Sequence, residues 1–269
     1  MLSQAQRGGL WLFRRVRQLG LLSNPFVRRV FNRAYFAYKR QFEDPFHQLT
    51  MRQPQLFKGG HILDIGANIG YTATVFARAV DPGRHVYAFE PASENVRSLH
   101  ATIAAAGLEK TVIPVRAAVG DRIGEVELAL NEFHPGDHRV QTGAPSLANR
   151  RVSERVVLTT VDAAVEQWRI DRVAFIKIDV QGYELRVCEG MTRTLETNPH
   201  AAVAVEYSPQ ALAEAGDRPS ALPAFFSDRR YIAHRLDRRG RLARVDAGSL
   251  RDSPLTSEYV DLLFTRVGL

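Results

Sequence analysis

The sequence contains little cysteine and no long apolar run. Cys188 is the single cysteine in 269 residues, which excludes an intramolecular disulfide and a zinc site built on several thiolates. The longest uninterrupted apolar run of the N-terminal region, Leu10 to Phe13, is far too short for a signal peptide or a membrane span. No later segment is long enough either. We therefore expect a soluble, cytoplasmic protein, with the surface of a membrane as its remaining lipid contact.

Acidic residues are missing from the start of the chain. Nine lysines and arginines precede the first acid, Glu43, and the rest of the chain is near neutral although the net charge is +7. Such a basic segment suits a nucleic acid, an anionic membrane or an acidic partner. Apolar residues at helical spacing predict two amphipathic helices, residues 10–19 and 27–38, followed by an irregular stretch through Asp44-Pro45 and Gln53-Pro54. We predict a basic helical arm of residues 1–56 before a domain of residues 57–269.

Strand and helix patterns alternate from His61 onward, which predicts right-handed βαβ units and a doubly wound, mostly parallel α/β sheet. The predicted strands are 61–65, 85–89, 111–115, 173–178 and 201–205, and the predicted helices are 71–80, 93–106, 162–168 and 183–195. Residues 231–236 and 259–264 are expected to close the sheet as an antiparallel pair. Two further strands, 125–130 and 155–159, flank a long loop from Asn131 to Asn149. Long loops in compact domains are often functional, so we expect acceptor specificity to lie there and in the C-terminal region.

The segment Asp64 to Gly70 follows the first predicted strand and reads Asp-Ile-Gly-Ala-Asn-Ile-Gly. Ligands of open α/β sheets bind beyond the carboxyl ends of the strands. Gly66 permits a tight turn, and Gly70 lets the next helix begin close to a ligand. The carboxylate of Asp64 suits a cationic amine better than a phosphate.

Glu90 ends the second predicted strand, where an acidic side chain can accept hydrogen bonds from both hydroxyls of a ribose. An acid for an amine and an acid for a ribose together indicate S-adenosylmethionine. A dinucleotide fingerprint would need glycine in place of Asn68, and the phosphate-binding loop of P-loop proteins is missing. The alternative is a strand, turn and helix that bind no nucleotide.

A second motif interrupts the apolar strand of residues 173–178. Lys177 and Asp179 lie two residues apart and so point to the same side of the strand. Because a buried ammonium is unfavourable unless it is paired, Lys177 should have a carboxylate partner. Glu206 follows the next strand, so Asp179 and Glu206 are expected to face one cleft, where one of them could accept a hydroxyl proton. The alternatives are a purely structural ion pair for Lys177 and a helix cap or loop contact for either acid.

Four motifs in this order resemble the FkbM family of methyltransferases. They are Asp-Ile-Gly-Ala-Asn-Ile-Gly from residue 64, Ala-Phe-Glu-Pro from 88, Lys-Ile-Asp-Val-Gln-Gly-Tyr-Glu from 177 and Val-Ala-Val-Glu from 203. The resemblance covers more than half of the chain. It implies a class I methyltransferase fold, S-adenosylmethionine as the methyl donor, and O-methylation of sugars, polyketides or similar metabolites. It also implies that Asp64, Gly66, Ala67, Asn68 and Gly70 bind the methionine side of the donor and Glu90 its ribose.

The chain departs from the family at Gln181, where glutamate is usual. The glutamine keeps the size and a hydrogen-bonding end but has no charge, which puts in doubt a base at this position. The loop that contains His134 and His138 resembles a substrate-side loop of some members, so both histidines are candidates for proton transfer, or else are solvent-exposed bystanders. Cys188 falls in a predicted helix, where core packing is expected.

We therefore expect direct transfer of a methyl group to a hydroxyl oxygen of a small molecule, sugar or glycolipid. Asp179, Lys177, Glu206 and His138 are the candidate catalytic residues, and no metal is expected to take part. The basic arm keeps open an anionic membrane surface as a partner. Two other functions stay open, an RNA methyltransferase, which we regard as less favoured, and a donor-binding protein without catalysis.

Overall fold

A computed structural model of the chain describes residues 36, 44–131, 138–140, 152–246, 248, 250 and 259–266. The chain divides into two compact units, Met1–Asp44 and Pro45–Leu269. In the first unit the description is limited to Phe36, which is helical, and Asp44. The two predicted N-terminal helices otherwise lie outside the described residues, as do His134 and most of the predicted specificity loop. The predicted division of the chain at residue 57 remains a prediction.

The described strands, in chain order, are β1 (His61–Ile65), β2 (Val86–Phe89), β3 (Val112–Val115), β4 (Ala118–Val119), β5 (Gly124–Ala129), β6 (Arg139–Val140), β7 (Ser153–Thr159), β8 (Val173–Ile178), β9 (Ala202–Tyr207), β10 (Ile232–Leu236), β11 (Leu242–Arg244) and β12 (Val260–Thr265). The described α-helices are α1 (Phe46–Arg52), α2 (Tyr71–Phe76), α3 (Ser93–Ala106), α4 (Val161–Gln167), α5 (Glu184–Glu189), α6 (Thr192–Thr197), α7 (Pro209–Glu214) and α8 (Ala221–Asp228). None of the helices in this part of the chain is long and apolar enough to cross a membrane.

The main sheet has the strand order β11-β10-β12-β9-β8-β1-β2-β3. Strands β3, β2, β1, β8 and β9 pair in parallel, whereas β12 runs antiparallel between β9 and β10. Every residue of β1 and β8 is buried, as expected for strands covered on both faces. The predicted α/β fold, mostly parallel with an antiparallel C-terminal strand, is confirmed. The strand order reverses between β1 and β8, which is where such folds bind ligands.

The prediction of an irregular stretch around Asp44-Pro45 and Gln53-Pro54 is wrong. Pro45 caps α1, and Pro54 is the first residue of a short 3₁₀ helix, Pro54–Phe57. Proline is tolerated at the start of a helix because its missing N–H would have no partner there. Phe46 and Phe57 pack their rings against Phe76 and Phe175. Residues 45–57 therefore pack with the sheet.

The single helix predicted over residues 183–195 is also wrong, because it is divided into α5 and α6. Gly190 lies at the division, and a Cβ there would overlap the carbonyl oxygen of Gly120. The close approach of two backbones requires glycine and ends α5. Cys188 is fully buried in the core, as predicted, and burial raises the pKa of its thiol.

A second sheet of strand order β4-β7-β5-β6 packs beside the main one. Two of its strands, β5 and β7, are predicted from the sequence and pair in an antiparallel ladder. Leu128, Val156 and Leu158 form a small core with Ala92 and Tyr183, residues close in sequence to Glu90 and Asp179. The second sheet thus lies beside the carboxyl edge of the main sheet.

Candidate active site

The chain turns sharply after β1, and the turn carries the predicted donor-binding residues. Gly66 has a φ of 80°, a left-handed conformation that glycine adopts readily. A Cβ at this position would overlap the carbonyl oxygen of Asp179. The amides of Gly66 and Ala67 donate to the carbonyl of Phe89 at 3.0 and 2.9 Å. The turn is therefore held between the ends of β2 and β8, and its first residue has to be glycine.

Asn68 and Gly70 complete this turn. Asn68 has a φ of 51° and Gly70 a φ of 91°, and asparagine tolerates the left-handed region better than most residues. A Cβ on Gly70 would lie 2.6 Å from Cδ1 of Leu99, because α3 packs closely there. The Oδ1 atom of Asn68 is buried and has no hydrogen-bond partner among the described residues. Leaving a buried acceptor unpaired costs about 1–3 kcal/mol, so this oxygen suits a donor group of a ligand.

Glu90 lies directly after β2 and is buried. Its Oε2 accepts the amide of Asn68 at 2.9 Å, and its Oε1 accepts the amide of Ala92 at 3.0 Å and Nδ2 of Asn95 at 3.2 Å. A carboxylate offers about four acceptor positions, so one remains for a ligand hydroxyl. Burial raises the pKa of Glu90 to about 7. Its predicted place beside the turn is thus observed, and its role toward a ribose remains a prediction.

Lys177 connects the turn of residues 66–70, the donor turn, to the end of β8. Its buried ammonium lies 3.5 Å from Oδ1 of Asp64 and 3.3 Å from Oδ2 of Asp179. It also donates to the carbonyl oxygen of Gly66 at 2.8 Å. The prediction that this buried lysine has a carboxylate partner is confirmed.

Asp64 is fully buried, and its Oδ2 accepts a hydrogen bond from Oγ1 of Thr72 at 2.6 Å. Burial raises the pKa of Asp64, and the charge of Lys177 opposes that rise. Only Oδ2 thus has a hydrogen bond, whereas the buried Oδ1 lies 3.5 Å from Lys177 and has no hydrogen-bond partner among the described residues. Its role toward the amine of a donor stays a prediction, and Thr72 is a contact that the sequence motif does not reveal.

Gln181 lies between the two predicted acids of the cleft. Its Nε2 donates to Oδ1 of Asp179 and to Oε2 of Glu206, each at 2.9 Å. The predicted pair therefore shares one cleft, and a neutral amide separates the carboxylates. Burial raises the pKa of Glu206 well above its usual range, and the charge of Asp179 raises it further. Asp179 is one-third exposed. It accepts a hydrogen bond from Gln181 and forms an ion pair with Lys177, and both interactions favour its ionised form.

Glu184 fixes the turn that carries Gln181. Its buried carboxylate accepts the amide of Val180 at 3.2 Å and the amide of Gly182 at 3.0 Å. Gln181 has a φ of 56°, which most side chains avoid. Burial raises the pKa of Glu184 to about 7. This role of Glu184 was not predicted from the sequence, although an acid two residues after Gly182 is the pattern of a side chain that accepts turn amides.

His138 lies directly before β6. Its Nδ1 accepts the backbone amide of Asn131 at 3.0 Å, so a neutral ring carries its proton on Nε2. In that form Nε2 donates a hydrogen bond and does not accept a proton. The next residue, Arg139, forms an ion pair with Glu214 at the end of α7 at 2.6 Å. The catalytic role of His138 stays a prediction, and positioning an acceptor suits this tautomer better than proton removal.

The residues around the turn fit S-adenosylmethionine. The unpaired Oδ1 of Asn68 and the remaining acceptor position of Glu90 can receive hydrogen bonds from the donor's amine or hydroxyls. Gly66 and Gly70 keep the backbone of the turn free of side chains. Within the described part of the chain, no group of three or more His, Cys, Asp or Glu side chains is placed to hold a metal ion.

A glycine-containing turn after β1, an acid after β2 and this sheet order together define the class of S-adenosylmethionine-dependent methyltransferases with the class I fold. Comparison with known proteins specifies the family. Residues 64–233 match the Methyltransferase FkbM domain, and the chain belongs to the FkbM methyltransferase family.

Individual relatives are more distant. The hexuronic acid methyltransferase AglP of Haloferax volcanii is 29% identical over 135 residues, which are 50% of this chain and 51% of the relative. The chain therefore spans about half the length of this curated relative. A solved methyltransferase FkbM from Methylobacillus flagellatus has a TM-score of 0.52 and 16% identity, covering 85% of this chain and 50% of the other. The O-methyltransferase TomG of Streptomyces achromogenes, solved in complex with S-adenosylmethionine, has a TM-score of 0.48 and 14% identity over 86% of each chain.

Proposed function

We propose that this methyltransferase transfers a methyl group to a hydroxyl oxygen of a sugar, glycolipid or similar small molecule, with Asp179 as the general base. The observation that carries the proposal is the environment of Asp179. Its carboxylate is partly exposed at the end of β8, next to the donor turn, and is held by Lys177 and Gln181. A base at this place is oriented on one side and accessible on the other.

Bound S-adenosylmethionine supplies a methyl group on a positively charged sulfur, which an acceptor oxygen can attack directly. Asp179 would accept the proton that the acceptor hydroxyl gives up as its oxygen takes the methyl group from sulfur. The residues that would hold the donor are Asn68, Glu90 and the backbone of Gly66 and Ala67. Holding both reactants in line removes much of the entropic barrier of a bimolecular reaction.

The two acids of the cleft have different proposed roles. Lys177 and Gln181 favour the ionised form of Asp179. Glu206 has a raised pKa, so it is expected to be neutral and to donate its O–H to an acceptor oxygen. Pairs of acids whose environments push their proton affinities apart commonly divide acid and base roles in this way.

The acceptor class is proposed from the relative named for hexuronic acid. A hexuronic acid is a sugar with both hydroxyl groups and a carboxylate. The likeness supports a sugar or glycolipid acceptor for this chain. Because the chain spans half of that relative, the particular sugar is a separate question for experiment.

Two matched substitutions test the assignment of the base. Asp179→Asn removes the proposed base, and turnover of labelled donor with an accepted sugar should fall at least about a hundredfold. Glu206→Gln replaces a neutral acid by a neutral amide of the same size, so it should keep most of the turnover. Calorimetric binding of S-adenosylhomocysteine should be nearly unchanged in both variants.

The opposite pattern assigns a different role. If Asp179→Asn turns over normally but melts at a lower temperature, Asp179 is the structural partner of Lys177. If Glu206→Gln is the inactive variant, Glu206 is the base. Glu90→Ala tests the donor site independently, since loss of one hydrogen bond to a carboxylate should weaken donor binding by about 1.5–3 kcal/mol.

A further inference from the structure

A cavity of about 640 Å³ lies between the end of α1 and the hairpin formed by β10 and β11. Its lining includes Arg52, Gln53, His234, Arg241 and Arg244. None of these residues belongs to the methyl-transfer cleft described above. Small-molecule sites commonly have volumes of roughly 300–1,000 Å³, so the cavity is large enough for an organic ligand.

The cavity is strongly basic. Among the residues that the structure describes, no carboxylate lies within ion-pair distance of Arg52, Arg241 or Arg244. The acid of the hairpin turn, Asp237, is already engaged, because its Oδ1 accepts the backbone amides of Arg239 and Arg241 at 2.8 and 2.9 Å. The three guanidinium groups therefore add their positive potential without a direct ion pair. The charge of Asp237 offsets part of that potential at Arg241, and Nε of Arg52 donates to the carbonyl oxygen of Arg239 at 2.7 Å.

His234 provides a second, independent observation. Its side chain lines the cavity, and only 9% of the residue is exposed. Its Nδ1 is buried and has no hydrogen-bond partner among the described residues. Burial lowers the pKa of His234, so its ring is neutral at pH 7 and can donate one hydrogen bond. The backbone carbonyls of Leu263 and Ile232 also interact with this ring and oppose the effect of burial. A buried polar atom that makes no hydrogen bond next to three arginines is suited to contact a ligand.

The cavity is separate from the methyl-transfer cleft. His234, Leu263, Ala204 and Lys177 are successive register partners on β10, β12, β9 and β8, so they form one row on the same face of the sheet. Three strand spacings of about 4.8 Å place His234 roughly 14 Å from Lys177. A ligand in the cavity is thus distant from the site of methyl transfer.

We infer that this cavity binds the phosphate group of an organic phosphate. Arginine is the preferred residue for phosphate because its planar guanidinium can donate two parallel hydrogen bonds to phosphate oxygens. Arg241 and Arg244 are exposed at the rim, whereas His234 is buried. The phosphate belongs either to a free metabolite such as a sugar phosphate or to a lipid headgroup, and both present the same group to the arginines. This inference does not depend on the proposed methyl acceptor.

The test compares one variant with a control of equal charge change. Arg241→Glu combined with Arg244→Glu reverses two cavity charges. Arg235→Glu combined with Arg238→Glu reverses two exposed charges of the same hairpin that do not line the cavity. Calorimetry with glucose 1-phosphate should show binding to the wild type, at least about a hundredfold weaker binding to the cavity variant, and nearly unchanged binding to the control.

A parallel measurement distinguishes the two sources of phosphate. The proteins are mixed with phosphatidylcholine vesicles that contain phosphatidic acid, and sedimentation measures binding. If the cavity variant loses vesicle binding and the control keeps it, the ligand is a lipid headgroup. If glucose 1-phosphate binds and the vesicles do not, the ligand is a free organic phosphate. Either result supports the site. Vesicle binding that both variants keep belongs to another part of the chain and leaves the decision to the sugar phosphate.

Three results would overturn the inference. The first is that neither glucose 1-phosphate nor a vesicle binds in a manner that depends on the cavity. The second is that glucuronate, which has a carboxylate and no phosphate, binds as tightly as glucose 1-phosphate. The third is that the double variant Arg241→Ala with Arg244→Ala binds glucose 1-phosphate as tightly as the wild type. This milder pair is used if the glutamate variant does not fold. His234→Phe should weaken binding about tenfold or more through loss of one charged hydrogen bond.

Discussion

Replacing Gln181 by glutamate tests the arrangement of the cleft directly. The glutamine amide donates to Asp179 and Glu206, each at 2.9 Å. A glutamate in its place would bring three carboxyl groups together. At 3 Å, two charged carboxylates repel each other by about 5 kcal/mol at an effective dielectric of 20, so the cluster should bind an additional proton instead. The protonated variant keeps one of the two hydrogen bonds.

The expected magnitude follows from proton linkage. At pH 5 Gln181→Glu should lose the contribution of one hydrogen bond to a charged group, about 1.5–3 kcal/mol of unfolding free energy. Above the ordinary pKa of glutamate the folded variant binds one proton more than the unfolded chain, so its stability falls as the pH rises. The slope relative to the wild type approaches about 1.4 kcal/mol per pH unit, or about 4 kcal/mol between pH 5 and pH 8.

Urea unfolding followed by circular dichroism at several pH values measures this difference. Gln181→Met serves as the control, because it removes both hydrogen bonds without adding an ionisable group. Its loss of stability relative to the wild type should vary less with pH. A constant difference between Gln181→Glu and the wild type from pH 5 to pH 8 would refute the placement of this side chain between two acids.

Three further predictions concern stability. Gly66→Ala should lower the free energy of unfolding by at least about 3 kcal/mol, because its Cβ would overlap a backbone carbonyl in addition to the left-handed strain. Gly83→Ala is the control, because Gly83 has the same φ of 80° but open space where a Cβ would lie. It should cost about 1–2 kcal/mol. Lys177→Met should cost about 3–5 kcal/mol by leaving the buried Asp64 without its cation, and adding Asp64→Asn should restore part of that loss in urea unfolding. Glu184 has a pKa raised to about 7, so the folded protein retains a proton that the unfolded chain loses. Stability should therefore fall as the pH rises from about 4.5 to 7. Thermal melts of Glu184→Gln should show a shallower fall over the same range.

The sheet was predictable because its signals are local. The apolar runs of β1 and β8 mark them as buried strands, and glycine after β1 marks the ligand-binding turn. Lys177 was informative because a charge inside such a run requires a partner, which the structure supplies in Asp64 and Asp179. The family resemblance then depended on the same motifs.

The parts that were missed depend on contacts between distant residues. Nothing near Gly190 in the sequence shows that the backbone of Gly120 approaches it and divides the helix. Strands β4 and β6 are two residues long, so neither has a readable alternation. The bridge from Gln181 to both acids depends on a left-handed φ of 56°, which is determined by the turn that Glu184 holds.

The three contacts of Lys177 have an evolutionary consequence. Its ammonium group forms ion pairs with Asp64 and Asp179 and donates a hydrogen bond to the carbonyl of Gly66. A single substitution at Lys177 leaves the buried carboxylate of Asp64 without its cation, and a single substitution at Asp64 leaves Lys177 with one of its two carboxylate partners. Either change should lower stability. The positions should therefore be inherited as one unit. Change in the proposed acceptor is then left to positions outside this unit.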